Sequence, residues 1–180
     1  MKIIFLGCQG SGKSTQAKTL ADHLKVPYIG MGQIFRDKAN QENELGQKIK
    51  NAIDNGNLVE DEIAVKILKE IITQKQYKSG YVLDAYPRNE AQLKGLESDI
   101  NMVFYINITE DEGIRRLSLR SRHDDTKEAL EKRLEIYHQK TEPLINHFKE
   151  KGILIEINGD QTIEDVSADV KKAYEANAKI

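Results

Sequence analysis

Ile3-Ile4-Phe5-Leu6-Gly7-Cys8-Gln9-Gly10-Ser11-Gly12-Lys13-Ser14 is the stretch that decides the fold. Four apolar residues of strand length run into a glycine-rich turn. A helical pattern follows from Lys13 to Leu24, with Ala17, Leu20, Ala21 and Leu24 on one face. Gly7 to Ser14 fit G-x-x-x-x-G-K-[ST] in full, after a strand and before a helix, which is the context that pattern requires. The glycines let the backbone curl so that its N–H groups converge on phosphate oxygens. The helix N-terminus adds partial positive charge, Lys13 a full one, and the Ser14 hydroxyl can reach a magnesium ion carried by the nucleotide. A glycine-rich turn capping a helix is the plainer reading, and the complete pattern in its strand–helix setting argues against it. GTPases, ATPases and kinases all use such a loop, so it places a phosphate and leaves the reaction open.

Outward from this loop, short apolar runs alternate with longer helical stretches. Val26–Ile29, Tyr81–Leu83, Met102–Ile108 and Ile153–Ile157 read as further strands. Continuous apolar strands separated by helices predict a five-stranded parallel sheet, buried on both faces in a three-layer α/β sandwich. Asp61–Gln74 and Thr126–Phe148 read as long helices, with Pro143 kinking or restarting the second. About fifty residues separate the second and third strands, more than one crossover needs, so roughly 30–60 is expected to be an inserted helical subdomain.

The bulk composition bounds the function. The chain has 180 residues, 39% hydrophobic and 31% charged, which suits one domain with one substantial core. With 27 Lys plus Arg against 29 Asp plus Glu, the net charge is -2, and nothing suggests a nucleic-acid surface. Anionic ligands must then be held by local arginines. Cys8 is the single cysteine, so neither an internal disulfide nor a structural zinc site is expected. No apolar run approaches the roughly 20 residues of a membrane span. Met1–Leu6 is too short for a signal peptide, and a cytoplasmic location is the expectation.

A second cluster, Leu83-Asp84-Ala85-Tyr86-Pro87-Arg88, follows the third strand. Ligands of parallel sheets gather at the C-terminal strand ends, so Asp84 is expected near the loop, ordering magnesium's water shell, and Arg88 at a second phosphate. Alone, this cluster would read equally well as a surface turn with a salt bridge. Arginines are also unevenly placed: Arg36 in the insertion, and Arg115, Arg116, Arg120, Arg122 and Arg133 along one later stretch. Arginine suits bidentate phosphate contact and charge stabilisation in phosphoryl transfer. A solvated helix face paired with Asp111, Glu112, Glu131 and Glu135 is the alternative, and it is strongest for Arg115.

Together these motifs resemble the adenylate kinases and related nucleoside monophosphate kinases, from the first strand to the last helix. Gly7 to Gln16 is similar to the family's ATP loop. Ile29-Gly30-Met31-Gly32-Gln33-Ile34-Phe35-Arg36 and Gly56-Asn57-Leu58-Val59-Glu60-Asp61-Glu62 resemble the two ends of its monophosphate-binding subdomain, about 30–59. Asp84 to Arg88 with Gln92 resembles its Asp-Gly-Phe/Tyr-Pro-Arg signature and adenine-reading glutamine. Arg120-Ser121-Arg122-His123-Asp124-Asp125, followed by Arg133, resembles its lid flanks.

The resemblance implies Mg-dependent phosphoryl transfer from ATP to AMP, giving two ADP. Gly10, Ser11, Gly12, Lys13, Ser14 and Thr15 would hold ATP phosphates, Arg116 and Arg120 would contact ATP, and Gln161 would meet its adenine through backbone. AMP would be bound by Met31, Arg36, Asn57, Leu58, Val59, Ala85, Tyr86, Pro87, Arg88 and Gln92. Lys13, Arg88, Arg120, Arg122 and Arg133 would be catalytic, the last two bridging both phosphates. Ser14, and Asp84 through water, would serve magnesium. Four positions depart from the family: Met31 for a hydroxyl residue, Gln33 for aspartate, Ala85 for glycine and Ser14 for the frequent glycine. The lid is reduced to a vestige at about 120–125, so either water enters or a neighbouring subunit covers the site, leaving a monomer and a homo-oligomer both open. UMP, CMP or a deoxynucleotide is the alternative acceptor, Asn89 being reminiscent of the pyrimidine enzymes. A nucleotide-dependent binding module with slow ATPase activity is the rival from another class.

Overall fold

The computed structural model describes residues 1–119 and 124–178. Five strands form one sheet: β1 Lys2–Leu6, β2 Tyr28–Gly30, β3 Tyr81–Asp84, β4 Met102–Asn107 and β5 Leu154–Asn158. All neighbours are parallel, in the order β2-β3-β1-β4-β5. The chain first moves from central β1 to the β2 edge and returns through β3. It then crosses β1 to reach β4 and β5. The loop after β1 therefore sits between the C-terminal ends of β3 and β4, where open α/β sheets bind ligands.

Alternate residues of the strands enter two cores. Ile3, Phe5, Val82, Met102, Phe104 and Ile106 face helix α1 (Lys13–Leu24) and the last helix, α9 (Ile163–Asn177), through Ala17, Leu20, Ala21, Val166 and Val170. Ile4, Leu6, Tyr81, Leu83, Val103 and Tyr105 face the opposite layer. That layer includes α4 (Asp61–Ile72) and α8 (Pro143–Glu150), whose Ile67, Leu68, Leu144 and Phe148 are buried. The expected three-layer sandwich follows from this double burial. Fully burying such side chains contributes about 1.5–3 kcal/mol each.

Two sequence expectations shift. The β2 pairing begins at Tyr28, because Pro27 has no N–H to offer and only its carbonyl joins the sheet, accepting from Val82. The long helix of the C-terminal half is two helices, α7 (Lys127–Ile136) and α8, joined by a π-helical turn at Tyr137–Thr141. Pro143 stands in the first turn of α8, where a missing N–H costs nothing.

Residues 31–54 form α2 (Met31–Ala39) and α3 (Glu44–Asp54), with Asn43 capping α3 by accepting from the Gly46 N–H at 2.7 Å. This pair returns to the body of the molecule at Gly56, where φ is +70° and a Cβ would stand 2.5 Å from the Ala129 carbonyl oxygen. Helix α6 (Glu110–Ser118) and α7 are separated by only the eight residues 119–126. No helix among the described residues is long and apolar enough to cross a membrane, and no cluster of three or more His, Cys, Asp or Glu there could hold a metal.

Candidate active site

The loop between β1 and α1 keeps the conformation its glycines predict. Gly10 has φ +83°, and a Cβ there would lie 2.6 Å from the Gly113 carbonyl oxygen, so the loop presses directly against α6. Lys13 is buried and its Nζ donates to the Cys8 carbonyl at 2.9 Å, folding the ammonium back over the loop. α1 starts behind it with Gly12 in the left-handed region and no side-chain cap. The Thr15 and Gln16 N–H groups both donate to the Gly12 carbonyl, at 3.0 and 3.1 Å, and the positive end of the helix faces the loop.

On one side of Lys13 lies a cavity shared by β3, the insertion and α7. Lys13, Ser14, Asp84, Arg36, Arg88 and Arg133 all line it, with Asn57, Leu58, Val59, Ala85 and Gln92. The Arg88 Nε donates to the Ala85 carbonyl at 3.1 Å, and the Thr141 hydroxyl from the π turn donates to the Arg88 carbonyl at 2.8 Å. Burial lowers the pKa of Arg88; Asp84 opposes this, and the like charges of Arg133 and Arg36 reinforce it. The guanidinium still keeps its proton, so the cavity holds clustered positive charge that an anion would relieve.

The partners of these arginines fix their positions. Gln33 accepts from Arg36 Nη2 at 3.0 Å and donates to Asp37 at 2.8 Å. Arg133 donates to Asp124 Oδ2 at 2.6 Å, to Asp125 Oδ1 at 3.0 Å and to the Ile53 carbonyl at 3.1 Å, tying α7 to the end of α3. Burial raises the Asp124 pKa, but the Arg133 hydrogen bond and charge outweigh it and bring it below the ordinary value.

Asp84 is buried at the end of β3. Its Oδ2 accepts from the Tyr28 hydroxyl at 2.8 Å, while its Oδ1 is buried without a hydrogen-bond partner. Burial, and then the Asp84 carboxylate, push the Tyr28 phenol well above its ordinary pKa, with Ser14 and Arg36 opposing the rise. The ring requires Gly30: a Cβ there would meet the Tyr28 hydroxyl at 2.6 Å.

The other side of the loop opens to a second cleft lined by Ser11, Gly12, Thr15, Arg116, Gln161 and Ile163. Arg116 is aimed by Glu112, which accepts from its Nε at 2.6 Å, and by the Gly159 carbonyl, which accepts from Nη2 at 2.8 Å. Hydrogen bonds from Arg115 and Arg116 pull the Glu112 carboxyl down to about 2.

The structure thus brings most predicted residues to two adjoining sites. Arg120 and Arg122 lie outside the described residues. Met31 is fully buried in the core beneath the insertion and does not line the cavity; nor do Tyr86 and Pro87, which are joined to each other by a cis peptide bond. Tyr86 instead donates to the Gln92 carbonyl at 2.9 Å, supporting α5 (Glu90–Leu93) from below. Ala85 has φ +62°, so it holds the left-handed conformation a glycine would take without strain. Sequence reading missed Tyr28, Lys18, Asp124, Tyr137 and Thr141, all of which line the cavity. The Asp124-Asp125 pair eight to nine residues before Arg133 was a usable signal. For Tyr28 and Thr141 the sequence holds none, since strand position and the π turn set their direction.

Comparison with known proteins places this geometry. A family profile described as adenylate kinase matches residues 5–153. Adenylate kinase 1 of Nostoc sp. (strain PCC 7120) is 38% identical over 177 residues, covering 94% of this chain and 96% of that protein. Adenylate kinase of Prochlorococcus marinus (strain AS9601) is 37% identical with the same coverage. Adenylate kinase of Caldicellulosiruptor bescii is 33% identical over 211 residues, covering 96% of this chain and 98% of that protein. That alignment exceeds the 180 residues here, so at least 31 of its positions have no counterpart in this chain. With a phosphate loop and an arginine-lined cavity meeting at Lys13, and with relatives matched along nearly their whole length, this chain belongs to the adenylate kinase family.

Proposed function

We propose that this chain moves the terminal phosphoryl group of ATP onto AMP, giving two ADP. The observation that carries the reading is the convergence of Arg36, Arg88 and Arg133 on one cavity that also contains Lys13 and Ser14. A phosphate loop needs one anion; three further arginines opposite its lysine provide for a second. The two phosphate tails then meet end to end, and positioning with charge neutralisation carries most of the reaction.

In this reading the loop N–H groups and Lys13 hold the ATP phosphates, and Arg116 with the Gln161 loop borders its base. Arg36 and Arg88 hold the AMP phosphate, while Asn57, Leu58, Val59 and Gln92 surround its base. Arg133 lies between the two phosphate groups, a role the family resemblance extends to Arg120 and Arg122. No general base is needed, because the attacking phosphate oxygen is already ionised. Magnesium bound to ATP would neutralise charge as the phosphoryl passes. The residues present fit it: the buried, unpartnered Asp84 Oδ1 can accept from its water shell, and Ser14 can offer its hydroxyl.

The helices α2 and α3 form the monophosphate-binding subdomain, and residues 120–125 are the remnant of a lid. The eight-residue α6–α7 connection supports this, as do the at least 31 unmatched positions in the longer relative. Catalysis then proceeds with a more open ATP side, in the cytoplasm, as a monomer or with a second subunit as cover. AMP-free ATP hydrolysis measured alongside solution mass separates these: a leak marks the first, an oligomer the second, and a leak-free monomer contradicts both.

ADP formation with ATP, magnesium and each of AMP, UMP, CMP, GMP and their deoxy forms tests the function. AMP-dependent ADP production is expected. ATP hydrolysis indifferent to every monophosphate would instead mark a nucleotide-dependent module.

A further inference from the structure

We propose that Asp61 determines which base the acceptor site takes, by locking the orientation of the Gln92 side chain. The inference rests on the reading of this cavity as the AMP site and specifies its chemistry. Gln92 lies on α5, is 3% exposed and lines the cavity. Its carboxamide sits between two groups of opposite character. Nε2 donates to Asp61 Oδ1 at 2.9 Å, and Oε1 accepts from the Arg88 backbone N–H at 2.9 Å. A carboxylate offers only acceptors and a backbone N–H only a donor. Turning the carboxamide over would set oxygen against oxygen and N–H against N–H, so a single orientation survives. Asn89 tightens the arrangement: its Nδ2 donates to the same Asp61 oxygen at 2.8 Å, while its Oδ1 accepts from the Gln92 N–H at 2.9 Å and caps α5.

Once these bonds are made, Gln92 keeps one N–H and one oxygen lone pair. A neighbouring donor and acceptor complement a ring edge carrying an acceptor nitrogen beside an amino group. Adenine presents that edge. Hypoxanthine and guanine present the reverse, a ring N–H beside a carbonyl oxygen, and uracil does likewise. Asp61 therefore makes the site select amino over oxo bases without touching the base itself. It is a positioning residue for specificity.

AMP and IMP differ only on that edge, and their kcat/KM ratio reads the lock. The native chain is expected to favour AMP by about tenfold or more, the worth of one bidentate base contact. Asp61→Asn offers either a donor or an acceptor, so only the Arg88 N–H still opposes a turned Gln92. The ratio should then fall by about tenfold, through a higher KM for AMP and a lower one for IMP, while the KM for ATP holds. Asp61→Glu, which keeps an acceptor-only partner, should restore most of the preference. A ratio within twofold of native in Asp61→Asn overturns the lock. So does a native chain that phosphorylates AMP and IMP equally well, a result that needs no variant to fold. A chain that phosphorylates neither contradicts the AMP-site reading instead.

Discussion

The cleft beside Gly12 and the cavity beside Arg88 both receive nucleotides in this account, yet they are built from different materials. The first is mostly backbone: curled loop amides, a helix N-terminus and the carbonyls of 159–161, with Arg116 as its held side chain. The second is mostly side chains that hold one another: Arg133 with Asp124 and Asp125, Arg36 with Gln33, Gln92 with Asp61, Asp84 with Tyr28. Backbone amides recognise phosphate in any nucleotide and say little about the base. A network of paired side chains fixes both an anion and the edge of a ring. In the proposed reaction, general phosphate binding thus belongs to the loop, and choice of acceptor belongs to the cavity.

The comparison breaks most visibly at Lys13, which faces the cavity from the loop side. Lys13→Met should lower turnover by about 10³-fold or more while the melting temperature stays close to native. Retention of near-native turnover would remove the loop from the chemistry. Next comes Arg88→Ala, expected to cost about 10²–10³ in kcat/KM for AMP, with ATP binding largely kept. Equal damage to ATP and AMP use would mean that the two sites are not separate in kind. Tyr28→Phe removes the hydroxyl that holds Asp84 Oδ2, so the magnesium concentration for half-maximal activity, and Mn²⁺ binding to the ATP complex followed by electron paramagnetic resonance, should weaken about three- to tenfold. An unaltered metal dependence by both readouts would leave Tyr28 a purely structural residue.

Legibility in the sequence follows the same division. The loop's conformation is readable because its pattern is local: backbone geometry, lysine and hydroxyl occupy fixed offsets after an apolar strand. Asp84 and Arg88 were readable because they end a buried strand beside that loop. The cavity's remaining parts come from distant elements. Arg133 meets the Ile53 carbonyl across eighty positions of sequence, and Asp61 meets Gln92 across thirty-one. Spacing alone carries no trace of either contact. Met31 was expected at AMP through the motif, but its side chain points into the core, as an apolar residue at the start of a buried helix would. Ala85 is legible only once φ is known. Relieving its left-handed backbone with Ala85→Gly should raise stability by about 0.5–1 kcal/mol, read by thermal or urea unfolding. A loss of stability would show that the methyl group's packing outweighs the strain.

The smallest expected effect concerns pH on the ATP side. Glu112 has its folded-state pKa depressed to about 2, so its hold on Arg116 is fully present above the ordinary carboxylate value and is lost only as pH falls through about 2. The KM for ATP should therefore show no carboxylate titration between pH 8 and pH 5 attributable to this pair. A Glu112→Gln variant that removes a titration seen in the native chain in that interval would contradict the assignment.

The central claim is that one continuous site joins both phosphate tails. Titration calorimetry with a two-headed adenosine polyphosphate, two adenosines linked through their phosphates, tests it most directly. One molecule should bind per chain, exclude both ATP and AMP, and lose affinity in Lys13→Met and in Arg88→Ala alike. Two molecules per chain, or AMP still binding to the saturated complex, would mean that the cleft and the cavity do not meet.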